Sequence, residues 1–563
     1  MIQNKVLVVG LSFIMFSVCF APLLSSGEED ISQLSSEYSG LTSFESGMLG
    51  RLNSSKAWMY DKDLERIALD KHAFRSAGSS GANETAIWIS AKFSEFGFET
   101  WNESFEFTSW DLLSDPSLVV YVSGYNASDN GQFNLQSFQS EHYSWPTKDG
   151  MLSAEAVILP LPNVSNRGAI GSVQIDDVIW DRLRTKDKIV FVGREVRWDS
   201  DWETDFLQKM TSDTPAAVVF IWWYDWMERV PPTFYPSAGG RPIGSIANCY
   251  WSLGIPTGSI NFTESLWIRN TQSRANLSAS MSINSTIAFG NHVNVVGKIE
   301  GSVAPGKLIL ISGHYDTVMD PGFCDNGAGI AAMMEIARTA ATVVNEGLFR
   351  PKYTLLFVAF AAEELGMVGS INFISKHMAI MSDIVAVLNL DCIGSDQLRV
   401  SLTDSSNGLD LDQVVLKAAT DLGVNASLEG IGGSDHESFR DPSSAGEMYY
   451  HNWGKSAGIS EAEPVAASTM LSSYPISYSS IWTTGASGWI HTSYDTSYMP
   501  NGFDWIDRED LGKHMKVAAL SVFRLSTDVD ESQPIDPLLL LIPLGIAFLI
   551  ALAISLMLIR RRT

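Results

Sequence analysis

The sequence predicts an α/β fold built on a doubly wound, mostly parallel sheet. Three apolar runs rich in branched side chains carry that prediction: Leu308–Ser312, Tyr353–Phe360 and Ile384–Leu390, each of a length suited to a buried strand. Helical patterns separate them, from Gly329 to about Val344 and from Leu365 to about His377. Strand–helix–strand alternation gives a parallel sheet, and such sheets bind ligands beyond the carboxyl ends of their strands.

The chemistry-bearing residues fall at that edge. His314 and Asp316 follow the first run in Gly313-His314-Tyr315-Asp316, Glu363 and Glu364 follow the second, and Asp391 closes the third in Asn389-Leu390-Asp391. Asp325-Asn326-Gly327-Ala328-Gly329 opens the first helical pattern, and His491-Thr492-Ser493 arrives later. Two His, three carboxylates and one spare Glu beside a ligand suit two Zn²⁺ ions sharing one carboxylate, with a free base next to them. That inventory points to hydrolysis. Each segment also has a bland reading: His-x-Asp as structure, Asp325-Asn326-Gly327 as a turn or helix cap, Glu363-Glu364 as a solvated pair at a helix start, Asp391 as a strand-end cap. The order and spacing of the four, closed by His491, favour a shared site.

With these segments in view, the chain resembles the co-catalytic dizinc aminopeptidase family, whose relatives include glutamate carboxypeptidase and the catalytically inactive transferrin receptor. The resemblance rests on His314-Tyr315-Asp316, Asp325 to Gly329, Glu363-Glu364-Leu365-Gly366, Asn389-Leu390-Asp391 with Ile393-Gly394, Ser434-Asp435-His436, and His491-Thr492 with Asp495-Thr496. It covers roughly residues 60–110 and 290–528. It implies a peptide substrate, with His314 and Asp391 on one zinc, Glu364 and His491 on the other, and Asp325 bridging them. Glu363 becomes the general base, taking a proton from the bridging water and passing it to the leaving amine. Asp316 becomes the residue that orients the His314 imidazole. Asp435 and His436 match a motif near the substrate pocket, with a polar turn as the equal alternative. Relatives often carry a Tyr before the last His to stabilise the oxyanion. Ile490 stands there in this chain, which leaves Tyr449, Tyr450, Tyr494 or the metals themselves for that task.

A chain of 563 residues has room for two or more domains. Residues 1–26 read as a secretory signal: Lys5, an apolar run from Val6 to Leu24, then small and polar residues. The run is also long enough for an uncleaved anchor. Residues 538–559 are apolar for about 22 positions and are followed by Arg560-Arg561-Arg562, which predicts a single membrane-spanning helix with residues 560–563 in the cytoplasm. The expected location is therefore the cell membrane, with the catalytic domain outside. A formal charge of −26 argues against nucleic acid and against docking on anionic lipid. Sequons at Asn53, Asn83, Asn102, Asn126, Asn163, Asn261, Asn276, Asn284 and Asn425 all lie on the proposed outer side. Beyond Cys19 in the signal, Cys249, Cys324 and Cys392 cannot all pair internally, so this is no disulfide scaffold; Cys324 and Cys392 each adjoin a proposed ligand and read as buried thiols.

The peptidase domain is expected over residues 40–110 and 288–530, interrupted by an insert over 111–287. Strand-like Asp187–Val192 and Ala216–Ile221, with a helical stretch over Phe206–Met210 between them, make the insert resemble a β-rich protease-associated domain. Its aromatic residues Trp198, Trp202, Trp222, Trp223, Tyr224 and Trp226 form core, or a lid on the cleft if exposed. Two other readings stand beside the aminopeptidase. A receptor-like relative would lack ligands that are all present. A glutamate-releasing carboxypeptidase needs a basic residue for the terminal carboxylate, and Arg399 and Arg440 are among the few near the ligand segments.

Overall fold

The computed structural model describes residues 40–124, 130–142, 144–159, 177–194, 213–222, 255–403, 409–430, 433–440, 477–483, 490–491, 495–497 and 506–527. Three helices lead in: α1 (Ser43–Leu49), α2 (Ser54–Leu69) and α3 (Ser80–Glu95). Each starts on a side-chain cap, Thr42, Asn53 and Ser79, whose oxygen accepts a first-turn backbone N–H. The chain then enters β1 (Glu99–Gly124) and passes through β2 (Leu152–Leu159), β3 (Ile189–Arg194), β4 (Ala217–Trp222), β5 (Thr257–Ile260), α4 (Phe262–Gln272) and β6 (Ala275–Ile299). The C-terminal half follows as β7 (Ala304–His314), α5 (Gly329–Asn345), β8 (Tyr353–Phe360), α6 (Val368–Lys376), β9 (Ile384–Leu390), β10 (Leu398–Ser401), α7 (Leu411–Asp421), β11 (Ala426–Glu429), β12 (Ser477–Thr483) and α8 (Arg508–Ser526).

The sheet runs β11-β10-β12-β9-β7-β8-β6-β2-β3-β4-β5. Strands β12, β9, β7 and β8 are parallel; β10 runs antiparallel to β12, and β6 antiparallel to β8. From β7 the chain moves to β8 on one side, then crosses to β9 on the other. Right-handed crossovers in opposite directions put α5 and α6 on opposite faces. The cores show it: Ile309, Ile311, Leu355, Phe357, Ala386 and Leu388 pack with α5 and α8, while Leu310, Leu356, Val358, Phe360 and Val387 pack with Phe373 and Ile374 of α6. Burial on both faces explains why these strands read as unbroken apolar runs rather than as alternation.

The helix expected from Leu365 begins at Val368 instead. Gly366 and Met367 sit at φ +99° and +60°, closing a tight turn in which both backbone N–H groups reach the Glu363 carbonyl. Glu363 and Glu364 are therefore turn residues, not the solvated first turn of a helix.

The residues expected to bound the insert face each other across a long antiparallel ribbon: Trp110 pairs with Ile287 and Asp111 with Thr286. Beyond that point β6 passes the sheet on to β2, and β2 to β5 run parallel. In its described part the insert is thus mixed, with parallel strands, α4 and a short helix at Asp177–Leu183, rather than simply β-rich. The expected strands lie at Ile189–Arg194 and Ala217–Trp222; the expected helix at 206–210 and most of the aromatic cluster lie outside the described residues, as do 1–26, 538–559 and 560–563. Among the described residues, the one helical stretch long and apolar enough to cross a bilayer is Phe323–Asn345, which is mostly buried inside the fold.

Helix α8 is tied to the ligand-bearing edge by a titratable contact. The Gly394 N–H donates to His514 Nδ1 at 3.1 Å, which requires a neutral acceptor nitrogen, and burial lowers this imidazole to about 4. A His whose folded value lies below its unfolded value of about 6.5 contributes full stability above that value and loses it as the pH falls towards 4. His514→Asn, whose amide oxygen accepts the same bond without titrating, should flatten the loss of melting temperature between pH 6.5 and 4. The difference between the two proteins over that range should approach ~3 kcal/mol, measured by denaturant unfolding.

Candidate metal centre

Three neighbouring strands, β9, β7 and β8, deliver their carboxyl ends to one place. His314 ends β7, Asp391 directly follows β9, and Glu363-Glu364 follow β8 by two residues. Asp325 comes from the widened turn Phe323–Ala328 that leads into α5. His491 comes from a segment beyond β12, the parallel neighbour of β9.

Asp325 stands between the two imidazoles. Its Oδ1 is 3.2 Å from His314 Nε2 and its Oδ2 is 3.0 Å from His491 Nε2. His314 Nε2 also lies 3.4 Å from Asp391 Oδ1, and His491 Nε2 lies 3.4 Å from Glu364 Oε1. Three groups with metal-ligand spacing result among the described residues: His314–Asp325–Asp391 and Asp325–Glu364–His491, joined by one carboxylate, and His314–Glu363–Glu364. Glu363 Oε2 is 3.9 Å from His314 Nε2, adjoining the two Asp325-containing groups. The side chains of Asp391 and His491 retain 14% and 15% exposure, so the approach to the centre is from their side.

The donor set fits a cation. His314 Nε2 and Asp391 Oδ1 are buried, face one another, and have no hydrogen-bond partner of good geometry among the described residues. Four carboxylates around two imidazoles leave an excess of negative charge in a buried place, a combination stabilised by metal coordination. The charges respond accordingly. Burial favours a neutral His314, but Asp391, Glu363 and Asp325 outweigh it and raise the imidazole well above its ordinary value. Burial works to raise Asp325, yet contact with both imidazoles holds it below the usual carboxylate range. Glu363 is raised by burial and by Glu364, against the pull of His314.

The supporting shell is made of carboxylates that grip backbone. Asp316 accepts the Glu363 N–H on Oδ1 (3.1 Å) and the Glu364 N–H on Oδ2 (3.3 Å). His314 Nδ1 instead meets the Asp316 backbone carbonyl at 3.1 Å, with the carboxylate at 3.9 Å. Asp316 thus orients the imidazole through its main chain, and its side chain serves the Glu pair. Asp495 does for Asp325 what Asp316 does for Glu363 and Glu364: it accepts the Cys324 and Asp325 N–H groups at 2.7 and 3.0 Å. Asn326 donates to the Leu390 carbonyl and accepts from Gly329 and Cys392, locking the turn to the end of β9. Gly329 is required there, because a Cβ would meet Asn326 Oδ1 at 2.1 Å and the Leu390 carbonyl at 2.5 Å.

Among the other sequence-derived candidates, Ser434 accepts from Asn389, which brings the Ser434-Asp435-His436 motif to the end of β9. Asp435 is fully buried, raised to about 7 by burial, and feels the charges of His314, Asp391 and Glu364. Cys324 and Cys392 are buried thiols in mutual contact, packed with Phe323 and Ile506. Ile490 packs against that cluster, and Tyr449, Tyr450 and Tyr494 lie outside the described residues. Sequence reasoning gave Asp495 no role and passed over Arg75, Asp61 and Asp320, which lie behind the centre; isolated charged residues in a sequence carry no signal of burial.

A sheet edge presenting these donors defines a metal-dependent hydrolase type of site. Residues 294–515 match the description of peptidase family M28. That stretch of the chain is thus similar to the M28 metallopeptidases. It is 32% identical over 128 residues to a glutamate carboxypeptidase 2 homologue of Caenorhabditis briggsae, covering 22% of this chain and 16% of that one. It is 32% identical over 126 residues to a probable zinc metalloprotease of Pyrenophora teres, covering 21% of this chain and 26% of that one. The chain thus spans about a quarter or less of the length of these relatives. The fold is that of a zinc aminopeptidase from Bacillus subtilis, with 18% identity, a TM-score of 0.56, and 86% of this chain and 97% of that one covered. An aminopeptidase from Aneurinibacillus superposes with a TM-score of 0.51 at 18% identity, over 87% of this chain and 98% of that one.

The position of Asp316 gives a test. Asp316→Ala frees two backbone N–H groups and unpins Glu363 and Glu364, so metal retention should fall about 10–100-fold in competition with a chelator. Asp316→Asn keeps one acceptor oxygen and should fall between the two.

Proposed function

We propose that the chain is a membrane-tethered, extracellular zinc exopeptidase, most specifically an aminopeptidase that removes N-terminal residues from peptides. The observation that carries this reading is the Asp325 carboxylate, with one oxygen facing each of two imidazoles from distant parts of the chain. A site for two zinc ions follows, with His314 and Asp391 holding one, Glu364 and His491 the other, and Asp325 shared. Zinc bound there supplies a Lewis acid for the scissile carbonyl and lowers the pKa of water to near neutrality. Glu363 acts from beside the clusters: its carboxylate accepts the proton of the attacking water and delivers it to the leaving amine nitrogen. Asp316 keeps Glu363 and Glu364 distinct in role by fixing both backbones.

The names and folds of the relatives support a zinc aminopeptidase, and the glutamate carboxypeptidase homologues keep a carboxypeptidase as the rival. Among the few basic residues near the ligand segments, Arg399 is paired with Glu429 at 2.9 Å on the neighbouring strand, which favours the aminopeptidase. The outward topology rests on the predicted signal and anchor, and Asn53, Asn83, Asn102, Asn276, Asn284 and Asn425 are all exposed as glycan acceptors must be. The insert is read as a protease-associated domain joined to the peptidase domain by the β1–β6 ribbon.

Metal analysis should find two zinc ions per chain, with hydrolysis of aminoacyl substrates lost on chelation; one ion in the active protein would remove the shared role of Asp325. Glu363→Gln should retain both ions and lose about 10²–10⁴-fold in kcat. Glu364→Gln should lose one ion, because an amide is a poorer zinc ligand than a carboxylate. Retained activity in Glu363→Gln with both ions bound would exclude the general-base role. Protease added to intact cells should release the catalytic domain in active form, and its protection would place it on the other side of the membrane.

A further inference from the structure

Ligands His314 and Asp325 are joined by a loop, residues 315–324, that belongs to no strand and joins only the widened turn at its far end. Something must define its path, because a ligand displaced by about 1 Å loses most of its value. Much of that path is wrapped around one side chain. Arg75, in the segment between α2 and α3, is fully buried. Its Nε donates to the Tyr315 carbonyl at 3.2 Å, Nη1 to the Pro321 carbonyl at 2.6 Å, and Nη2 to the Gly322 carbonyl at 3.1 Å. A further bond from Nη1 reaches the Leu64 carbonyl at 3.4 Å, which anchors the guanidinium to the C-terminal half of α2. The backbones are stitched alongside: Arg75 N–H donates to Thr317 Oγ1, Thr317 N–H donates to the Arg75 carbonyl, and Ser76 Oγ donates to the Val318 carbonyl.

We infer that Arg75 is the positioning residue of the metal centre, a buried guanidinium around which the His314–Asp325 loop is moulded and on which metal retention depends. The inference rests on the dizinc reading above for its metal readout. Only a guanidinium meets the geometry: its planar fork offers donors in several directions at once, whereas an ammonium is a compact point charge on a flexible stem. Burial lowers this guanidinium below its ordinary value, and the charges of Asp61, Asp320, Asp495 and Asp316 offset only part of that effect. The Asp61 and Asp320 carboxylates are themselves buried and have no hydrogen-bond partner among the described residues, so their contribution here is electrostatic. Asp495 and Asp316 are the two carboxylates that grip the backbone of Asp325 and of Glu363-Glu364. Arg75 thus lies behind the centre, holding the loop by hydrogen bonds and the supporting carboxylates by charge.

The full-length protein, Arg75→Lys and Arg75→Ala are compared by three measurements: zinc retention against a chelator, hydrogen exchange of residues 315–324, and far-ultraviolet circular dichroism for the fold. Arg75→Lys keeps the charge and loses the fork; it should stay folded, exchange faster across 315–324, and hold zinc about 10–100-fold more weakly. In Arg75→Ala, guanidinium chloride at millimolar, non-denaturing concentration should restore zinc retention, whereas equal sodium chloride should not. Wild-type zinc retention and exchange in Arg75→Lys would overturn the proposal, as would failure of guanidinium to restore retention in folded Arg75→Ala. If Arg75→Ala does not fold, Arg75→Lys decides. Should the wild-type protein hold no zinc, the dizinc reading fails, and exchange over 315–324 still decides whether Arg75 shapes the loop.

Discussion

Everything in the catalytic half answers to one constraint: the Asp325 carboxylate must present an oxygen to each of two imidazoles that approach from different parts of the chain. His314 is fixed by a strand end, but Asp325 is not, so its position is built from hydrogen bonds. Asp495 takes its N–H, Asn326 locks the turn to the end of β9, and Gly327 and Gly329 remove the Cβ atoms that would collide. At Gly327 a Cβ would meet the Asp61 carboxylate at 2.2 Å. The glycines of this motif thus serve close approach rather than the loose turn that Asn-Gly suggests by itself.

The sheet supplies what those bonds require, a rigid edge. β9, β7 and β8 are parallel and adjacent, and their residues are buried on both faces by two separate cores. A strand packed on both sides has little freedom to twist or slide, so residues that follow its end inherit a fixed position. The same edge is where the direction of chain winding reverses, which leaves a crevice between diverging loops. The cluster sits in that crevice for a topological reason that holds regardless of which side chains line it.

Negative charge is the cost of this arrangement. Asp316, Asp325, Glu363, Glu364, Asp391, Asp435 and Asp495 are gathered in or behind one centre, and burial raises most of their carboxyls. Such a group is unstable alone and stabilised by cations, whether coordinated in front or supplied by Arg75 behind. The insert stands apart from this electrostatic problem. It leaves the catalytic half along the β1–β6 ribbon and continues the same sheet through β2, so it is coupled to the catalytic half through backbone pairing.

The strands and their order of use were legible in the sequence, because Tyr353–Phe360 and Ile384–Leu390 are apolar without interruption and such runs have few other structural uses. The candidate ligands were legible too, since each stands next to a strand end or at a helix start, and their residue types select metal chemistry. What the sequence by itself determined is therefore the α/β plan and the set of candidate donors. Only the tertiary structure decided how the donors are shared and held: that Asp325 faces both imidazoles, that the Asp316 carboxylate serves Glu363 and Glu364 while its carbonyl serves His314, and that Arg75 fills the loop from behind. These are contacts between residues as many as 247 positions apart, and periodicity, which reports only neighbours along one element, carries no trace of them.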